Sequence, residues 1–198
     1  MEERSIADKA RIVLTKDLCH AEVARLMDKL YQYNHKTFTH SVNVGYIVAE
    51  IMIAENIEKD TAKEVVTGAI LHDIGKLKIP LEILDKHDLL TAEESKIMQM
   101  HPQYGIDILS EESPSLLKPN IRDIILFHHE KRSGNGYPKR IRKIPYYAEL
   151  IQAVDIYDAI TADRTYHTGV SAYRAFRIME EEGCSEKFIK KINNCSVK

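Results

Sequence analysis

Two dipeptides and one carboxylate sit where apolar residues would be expected. His72-Asp73 closes the run Ala69-Ile70-Leu71, His128-His129 closes Ile124-Ile125-Leu126-Phe127, and Asp155 interrupts Ile151-Gln152-Ala153-Val154 before Ile156. A carboxylate in such company costs on the order of several kcal/mol unless it is paired or metal-bound. Each residue has a plain alternative when taken alone: His72 as a hydrogen-bonded core histidine, Asp155 as the acceptor of a tyrosine hydroxyl. Three such anomalies on three separate stretches favour one shared centre. Imidazole and carboxylate donors suit borderline first-row ions such as Mn, Fe or Zn. Adjacent side chains on a helix point about 100° apart. One member of a pair can therefore ligate one ion while Asp73, with two oxygens, bridges to a second. The donors are too many for one tetrahedral zinc, and no cysteine is among them, which points to two divalent ions, Fe or Mn. Two such ions clamp the attacking and leaving oxygens of a phosphate ester, which favours hydrolysis over redox chemistry.

The elements that must hold these residues are helical. Apolar residues recur at three and four over 17–33, with Asp17 as cap, and over 38–55. A third helix is expected over about 60–74, stopping at Gly75, followed by a crossing loop over 77–84 that contains Pro80. Thr91 and Glu94 form a capping box that opens a helix to about 100. His101-Pro102 is expected to break or bend it, with another turn or two reaching Leu109. Further helices are expected over 120–129 and 146–161, separated by the glycine-rich turn Ser133–Pro138, and then over 171–181 and 186–192. No alternation at period two occurs. The expectation is an all-α helical bundle, with residues 1–35 as an N-terminal helical extension and 36–198 as the catalytic domain.

Composition narrows the function classes. The 198 residues are 44% hydrophobic and 29% charged, ordinary for a soluble globular chain. A net charge of −2 argues against a dedicated nucleic-acid partner. No apolar run reaches the roughly 18 residues of a membrane span, and the charged start is no signal peptide. Cys19, Cys184 and Cys195 fall in no C-x-x-C spacing, which leads to the expectation of a reducing, cytoplasmic setting. Residues 131–143 hold six basic side chains and no acidic one, readable either as a solvated loop or as a stretch that focuses a compact anion.

Several strings together resemble the HD-GYP subgroup of the HD phosphohydrolase superfamily. They are Leu71-His72-Asp73-Ile74-Gly75-Lys76, Lys78-Ile79-Pro80, Ile83-Leu84-Asp85-Lys86 and Leu90-Thr91-Ala92-Glu93-Glu94. His101-Pro102-Gln103-Tyr104-Gly105, His128-His129-Glu130, Gly134-Asn135-Gly136-Tyr137-Pro138, Val154-Asp155-Ile156-Tyr157-Asp158 and Asp163-Arg164-Thr165-Tyr166 continue them in the family's order. The match covers about residues 37–180. The resemblance implies an HD-domain helical bundle that hydrolyses cyclic di-GMP, a bacterial second messenger, to pGpG or GMP. It implies His40, His72 and Asp155 around one ion, His101, His128 and His129 around another, and Asp73 bridging them. Lys76 is similar to the lysine that reaches the scissile phosphate, and Arg164 to a substrate contact.

Around that set, Glu130 reads equally as an acceptor for a ligand imidazole's second N–H and as a surface glutamate at a helix end. Asp158 reads as an outer acid or N–H acceptor. Tyr137 is expected mainly to pack locally, with a guanine contact as the lesser reading. The chain departs from the family at Lys36, where some members have a glutamate that adds a third metal, and at Arg132, Ser133 and His167. These departures keep open another phosphate ester as substrate, with a catalytically silent sensor or scaffold as the weaker alternative. The 35 residues ahead of the match are too few for a receiver module, so regulation is expected from oligomerisation, a separate partner or substrate supply. The first helix is a candidate homodimer contact.

Overall fold

The apolar stripes read above become helices whose buried faces meet in one core. A computed structural model describes Ser5, Asp8, residues 21–161 and residues 170–196. Its helices are α1 (Ala21–Tyr33), α2 (His35–Ala54), α3 (Lys59–Leu71), α4 (Leu81–Leu84), α5 (Ala92–Met98), α6 (His101–Glu112), α7 (Pro119–Phe127), α8 (Tyr146–Thr161), α9 (Ala172–Glu181) and α10 (Glu186–Ser196). Two 3-10 turns, Ile74–Lys78 and Pro114–Leu116, join them, and no strand occurs among the described residues.

Four helices close a ring: α2 packs on α3, α3 on α7, α7 on α8, and α8 back on α2. Val44, Val48 and Ile51 of α2 meet Val65, Ala69 and Ile70 of α3, Ile124 and Ile125 of α7, and Leu150, Ile151 and Val154 of α8 in the buried core. The remaining helices buttress this ring. Helix α6 packs on α7 and on the first 3-10 turn, while α9 and α10 cover α8 and α2. Val23, Leu26, Met27 and Leu30 of α1 are fully buried in the same core, and Tyr33 donates its hydroxyl to the Ile79 carbonyl at 2.6 Å. No helix among the described residues is long and apolar enough to cross a membrane.

Two boundaries differ from the sequence reading. The third helix ends at Leu71, not at Gly75, with His72 as its C-cap. The His72 ring Nδ1 donates back to the Ala69 carbonyl at 2.7 Å and so satisfies one of the helix's open acceptors. Gly75 belongs to the following 3-10 turn. There a Cβ would stand 1.9 Å from the His101 carbonyl oxygen, so the glycine serves a backbone crossing and not a helix end. The second difference is at His101-Pro102, which opens a 12-residue helix instead of bending one. Proline is well tolerated in a first turn, where its missing N–H has no intrahelical partner to lose. Thr91 and Glu94 form the expected capping box.

Candidate metal centre

Each helix of the ring brings a polar side chain to one end of the bundle. His40 comes from the first half of α2, His72 and Asp73 follow the last turn of α3, His128 and His129 follow α7, and Asp155 sits within α8. His101, the first residue of α6, completes the set. Donor atoms of Asp73, His101, His128 and His129 all lie within 4.8 Å of one another, as do those of His40, His72 and Asp73. Asp73 belongs to both groups.

The outward nitrogens decide what the inward ones can do. His72 Nδ1 donates to the Ala69 carbonyl at 2.7 Å and His101 Nδ1 to the Met98 carbonyl at 2.8 Å. His128 Nδ1 is shared between the Ile125 and Ile124 carbonyls at 3.0 and 3.1 Å. His40 Nδ1 instead donates to Asp158 Oδ2 at 2.7 Å. Assigning the proton to Nδ1 in each case leaves Nε2 as a lone-pair donor aimed into the centre. His72 Nε2 and Asp73 Oδ1 are buried there without a hydrogen-bond partner. His101 Nε2 lies 3.3 Å from His128 Nε2 and 3.3 Å from Asp73 Oδ1. Facing lone pairs and orphaned acceptors of this kind are costly in a protein interior and fit a divalent cation. Helix termini add to the preference, because the carbonyl ends of α3 and α7 converge here and their dipoles favour positive charge.

Electrostatics follow from this crowding. Burial opposes charge on His40, but hydrogen bonds to Asp155 and Asp158 outweigh it and push the imidazole up to about 10. Burial depresses His101 to about 3 and His129 to about 4, and it also lowers His72 and His128. Burial would raise the Asp73 carboxyl, yet Lys76 and then His72 hold it well below the usual carboxylate range. Lys76 Nζ lies 2.5 Å from Asp73 Oδ2. Asp155 is likewise lowered against its burial, mainly by the bond to His40, whose Nε2 is 3.0 Å from Asp155 Oδ1.

The neighbouring residues divide. Asp158 meets the expected N–H acceptor geometry at His40. Glu130 is fully buried, which is not the setting of a surface glutamate. Its Oε1 accepts the Lys139 backbone N–H at 2.6 Å, and its other oxygen has no partner. Tyr137 stacks on His129 with ring centroids 4.6 Å apart, so local packing describes its position, and burial keeps the phenol protonated. Gly136 lets this loop lie against the helix end, since a Cβ there would stand 2.4 Å from the Lys131 nitrogen. Lys36 pairs with Asp85 at 3.4 Å. Arg164, expected at the substrate, lies outside the described residues. Sequence reasoning passed over Gln152, whose side chain donates to the Glu130 carbonyl at 2.7 Å. Its position three residues before Asp155, in the same apolar run, was an available signal.

A family model described as HD domain matches residues 16–188. The chain is 34% identical over 162 residues to a cyclic di-GMP phosphodiesterase of Thermotoga maritima, covering 80% of this chain and 44% of the relative. It is 33% identical to cyclic di-GMP phosphodiesterase PA4108 of Pseudomonas aeruginosa, covering 83% and 40%. A 3'3'-cGAMP-specific phosphodiesterase 2 of Vibrio cholerae is 32% identical, with 73% and 28% covered. The chain thus spans less than half the length of these curated relatives. Among solved structures, the fold matches Bd1817, an HDG"Y"P protein from Bdellovibrio bacteriovorus, with TM-score 0.63 and 21% identity over 81% of this chain and 52% of that one. It also matches the HD domain of L. monocytogenes phosphodiesterase PgpH in complex with cyclic-di-AMP, with TM-score 0.62 and 21% identity over 86% and 92%.

Proposed function

Because the chain belongs to the HD domain family, and within it to the HD-GYP subgroup, we propose that it is a divalent-metal-dependent phosphodiesterase that hydrolyses cyclic di-GMP to pGpG, GMP or both. The observation that supports this reading best is the set of inward Nε2 atoms around Asp73, with His72 Nε2 and Asp73 Oδ1 buried and unpartnered. His40, His72, Asp73 and Asp155 would hold one ion, and Asp73, His101, His128 and His129 a second. The imidazole and carboxylate donors favour Fe or Mn. When bound, such ions supply Lewis-acid stabilisation of phosphoryl charge and activation of water near neutral pH.

The chain's own residues do the rest. Asp73 spans the two groups and fixes their separation. Asp158 and the carbonyls of Ala69, Met98, Ile124 and Ile125 set the imidazole tautomers. Lys76, 21% exposed at the mouth of this cluster, can leave Asp73 to neutralise a phosphoryl oxygen as charge develops in the transition state. The packed bundle behind the ligands excludes bulk water from their far side.

The test is to purify the protein without added metal, quantify bound ions, and incubate it anaerobically with cyclic di-GMP and Mn or Fe(II). The expected result is about two ions per chain with pGpG or GMP formed. Asp73→Ala should lose both ions and turnover. Lys76→Met should keep the ions and lose about 100-fold or more in turnover. Ions without turnover of cyclic di-GMP would direct the substrate assignment to another phosphate ester. The first to try is 3'3'-cGAMP, because one relative is named for that ligand. Neither ions nor turnover after reconstitution would overturn the reading.

A further inference from the structure

The basic stretch 131–143 is built as a rim whose free cations are held in place by contacts other than their charges. Lys131 is paired with Glu182 at 3.4 Å, and Arg132 is bound to the Glu149 carboxylate. Lys139, Arg140, Arg142 and Lys143 are exposed and form no ion pair among the described residues. Four like charges within five residues repel one another, so the backbone must hold the loop closed. Gly134 N–H donates to the Lys131 carbonyl at 2.7 Å and Tyr137 N–H to the His129 carbonyl at 3.2 Å. Lys139 N–H is held by the buried Glu130 carboxylate at 2.6 Å. Arg142 folds back across the loop, its Nε 3.0 Å from where a Cβ on Gly134 would stand.

Arg140 itself is at φ 57, in the left-handed region that suits glycine and strains an arginine. Strain of this kind persists where the surroundings over-determine it, and it points to a use for the side chain. The inner end of the loop already lies in the metal centre through the Tyr137–His129 stack. Tyr137 and Arg140 are separated by chain that spans at most about 11 Å.

We infer that this rim holds an anion, with Arg140 at its apex taking the phosphate of a cyclic dinucleotide that is not under attack at the metal centre. The ligand class rests on the phosphodiesterase reading above. A cyclic dinucleotide carries two phosphodiesters, and the centre can neutralise one. The second meets cations that break no existing ion pair when they engage it, whereas Lys131 and Arg132 would have to release Glu182 and Glu149. A guanidinium also presents a planar fork that matches two phosphate oxygens.

Arg140→Gly removes the charge and leaves the backbone in a conformation glycine adopts freely, so its thermal midpoint should equal or exceed that of the wild type. Binding of cyclic di-GMP and linear pGpG to the metal-loaded proteins would be measured by rapid filtration at low and high salt, with turnover followed separately. Lys59→Ala, at the far end of α3 from His72, serves as a charge-matched control. The expected result is about 5-fold weaker binding of cyclic di-GMP by Arg140→Gly at low salt, with a shallower salt dependence and no change for Lys59→Ala. Equal dissociation constants and salt dependence in wild type and Arg140→Gly would overturn the inference, as would a wild type that binds neither dinucleotide. Binding that depends on Arg140 without turnover would overturn the hydrolase reading and sustain the rim. Turnover with Arg140→Gly binding unchanged would do the reverse.

Discussion

An imidazole presents one lone pair to a cation only if its other nitrogen has somewhere to put a proton. Here that somewhere differs among the ligands. His72, His101 and His128 use backbone carbonyls that are open because a helix ends beside them, whereas His40, in the first half of α2, uses the Asp158 carboxylate at 2.7 Å. Carbonyl-held imidazoles cannot lose their partner by mutation, but His40 can. Asp158→Ala should therefore weaken the ion held by His40, His72 and Asp155 by about 10- to 100-fold while leaving the other ion in place. Metal quantified after graded dialysis would fall from two ions towards one, and retention of both at wild-type chelator concentrations would sink the idea. At the same level, Asp73 was conspicuous in the sequence as an acid closing an apolar run. His40 was legible only through the family pattern, because nothing local distinguishes a histidine near a helix start.

Among the elements, the 3-10 turn Ile74–Lys78 does most to shape the centre. It follows Asp73 directly, packs on α6, and sets the backbone of Lys76 relative to His101. The fit depends on Gly75, where a Cβ would meet the His101 carbonyl at 1.9 Å and the Gly105 nitrogen at 2.5 Å. Both obstacles are backbone and neither can rotate away. Gly75→Ala should destabilise the protein by about 3 kcal/mol and, by moving His101, should lower affinity for the second ion as well. A denaturant midpoint within error of the wild type would refute this. Apolar spacing located the helices because burial repeats with the helical period, and α8 runs over the residues that spacing implied. The ends of α3 and the start of α6 were not legible in the same way. A glycine after an apolar run signals a helix stop whether its cause is a cap or a backbone crossing. A His-Pro pair reads as a break until the first-turn position of its proline is known.

In the molecule as a whole, the ring of α2, α3, α7 and α8 buries titratable groups that the unfolded chain would expose. Without metal, burial holds His101 at about 3 and His129 at about 4, while the same residues titrate near 6.5 when unfolded. As pH falls below about 6.5 the unfolded chain takes up protons that the folded chain refuses, so stability declines until the folded values are reached. The slope is about 1.4 kcal/mol per pH unit for each such histidine. His40 acts in the opposite sense, because its folded value is raised to about 10 and its contribution is lost as pH rises from 6.5 through 10. Chelator-treated protein should therefore be most stable near pH 6.5. Its urea midpoint should fall on both sides, and His129→Gln should flatten the acid limb alone. A flat profile between pH 7 and 4 would contradict the buried, neutral state of these rings.

What the residue order decided was the helical class, the positions of most elements and the identity of the chemically active side chains. Those follow from local periodicity and from polar residues placed where an apolar one would cost less. Tertiary structure alone decided which donors share an ion. Asp73 and His101 are 28 positions apart in sequence and 3.3 Å apart in space. It likewise decided that Glu130 is buried beneath a basic loop and that Arg140 is held in a strained conformation, because both depend on where distant backbone segments cross, and no local pattern encodes that.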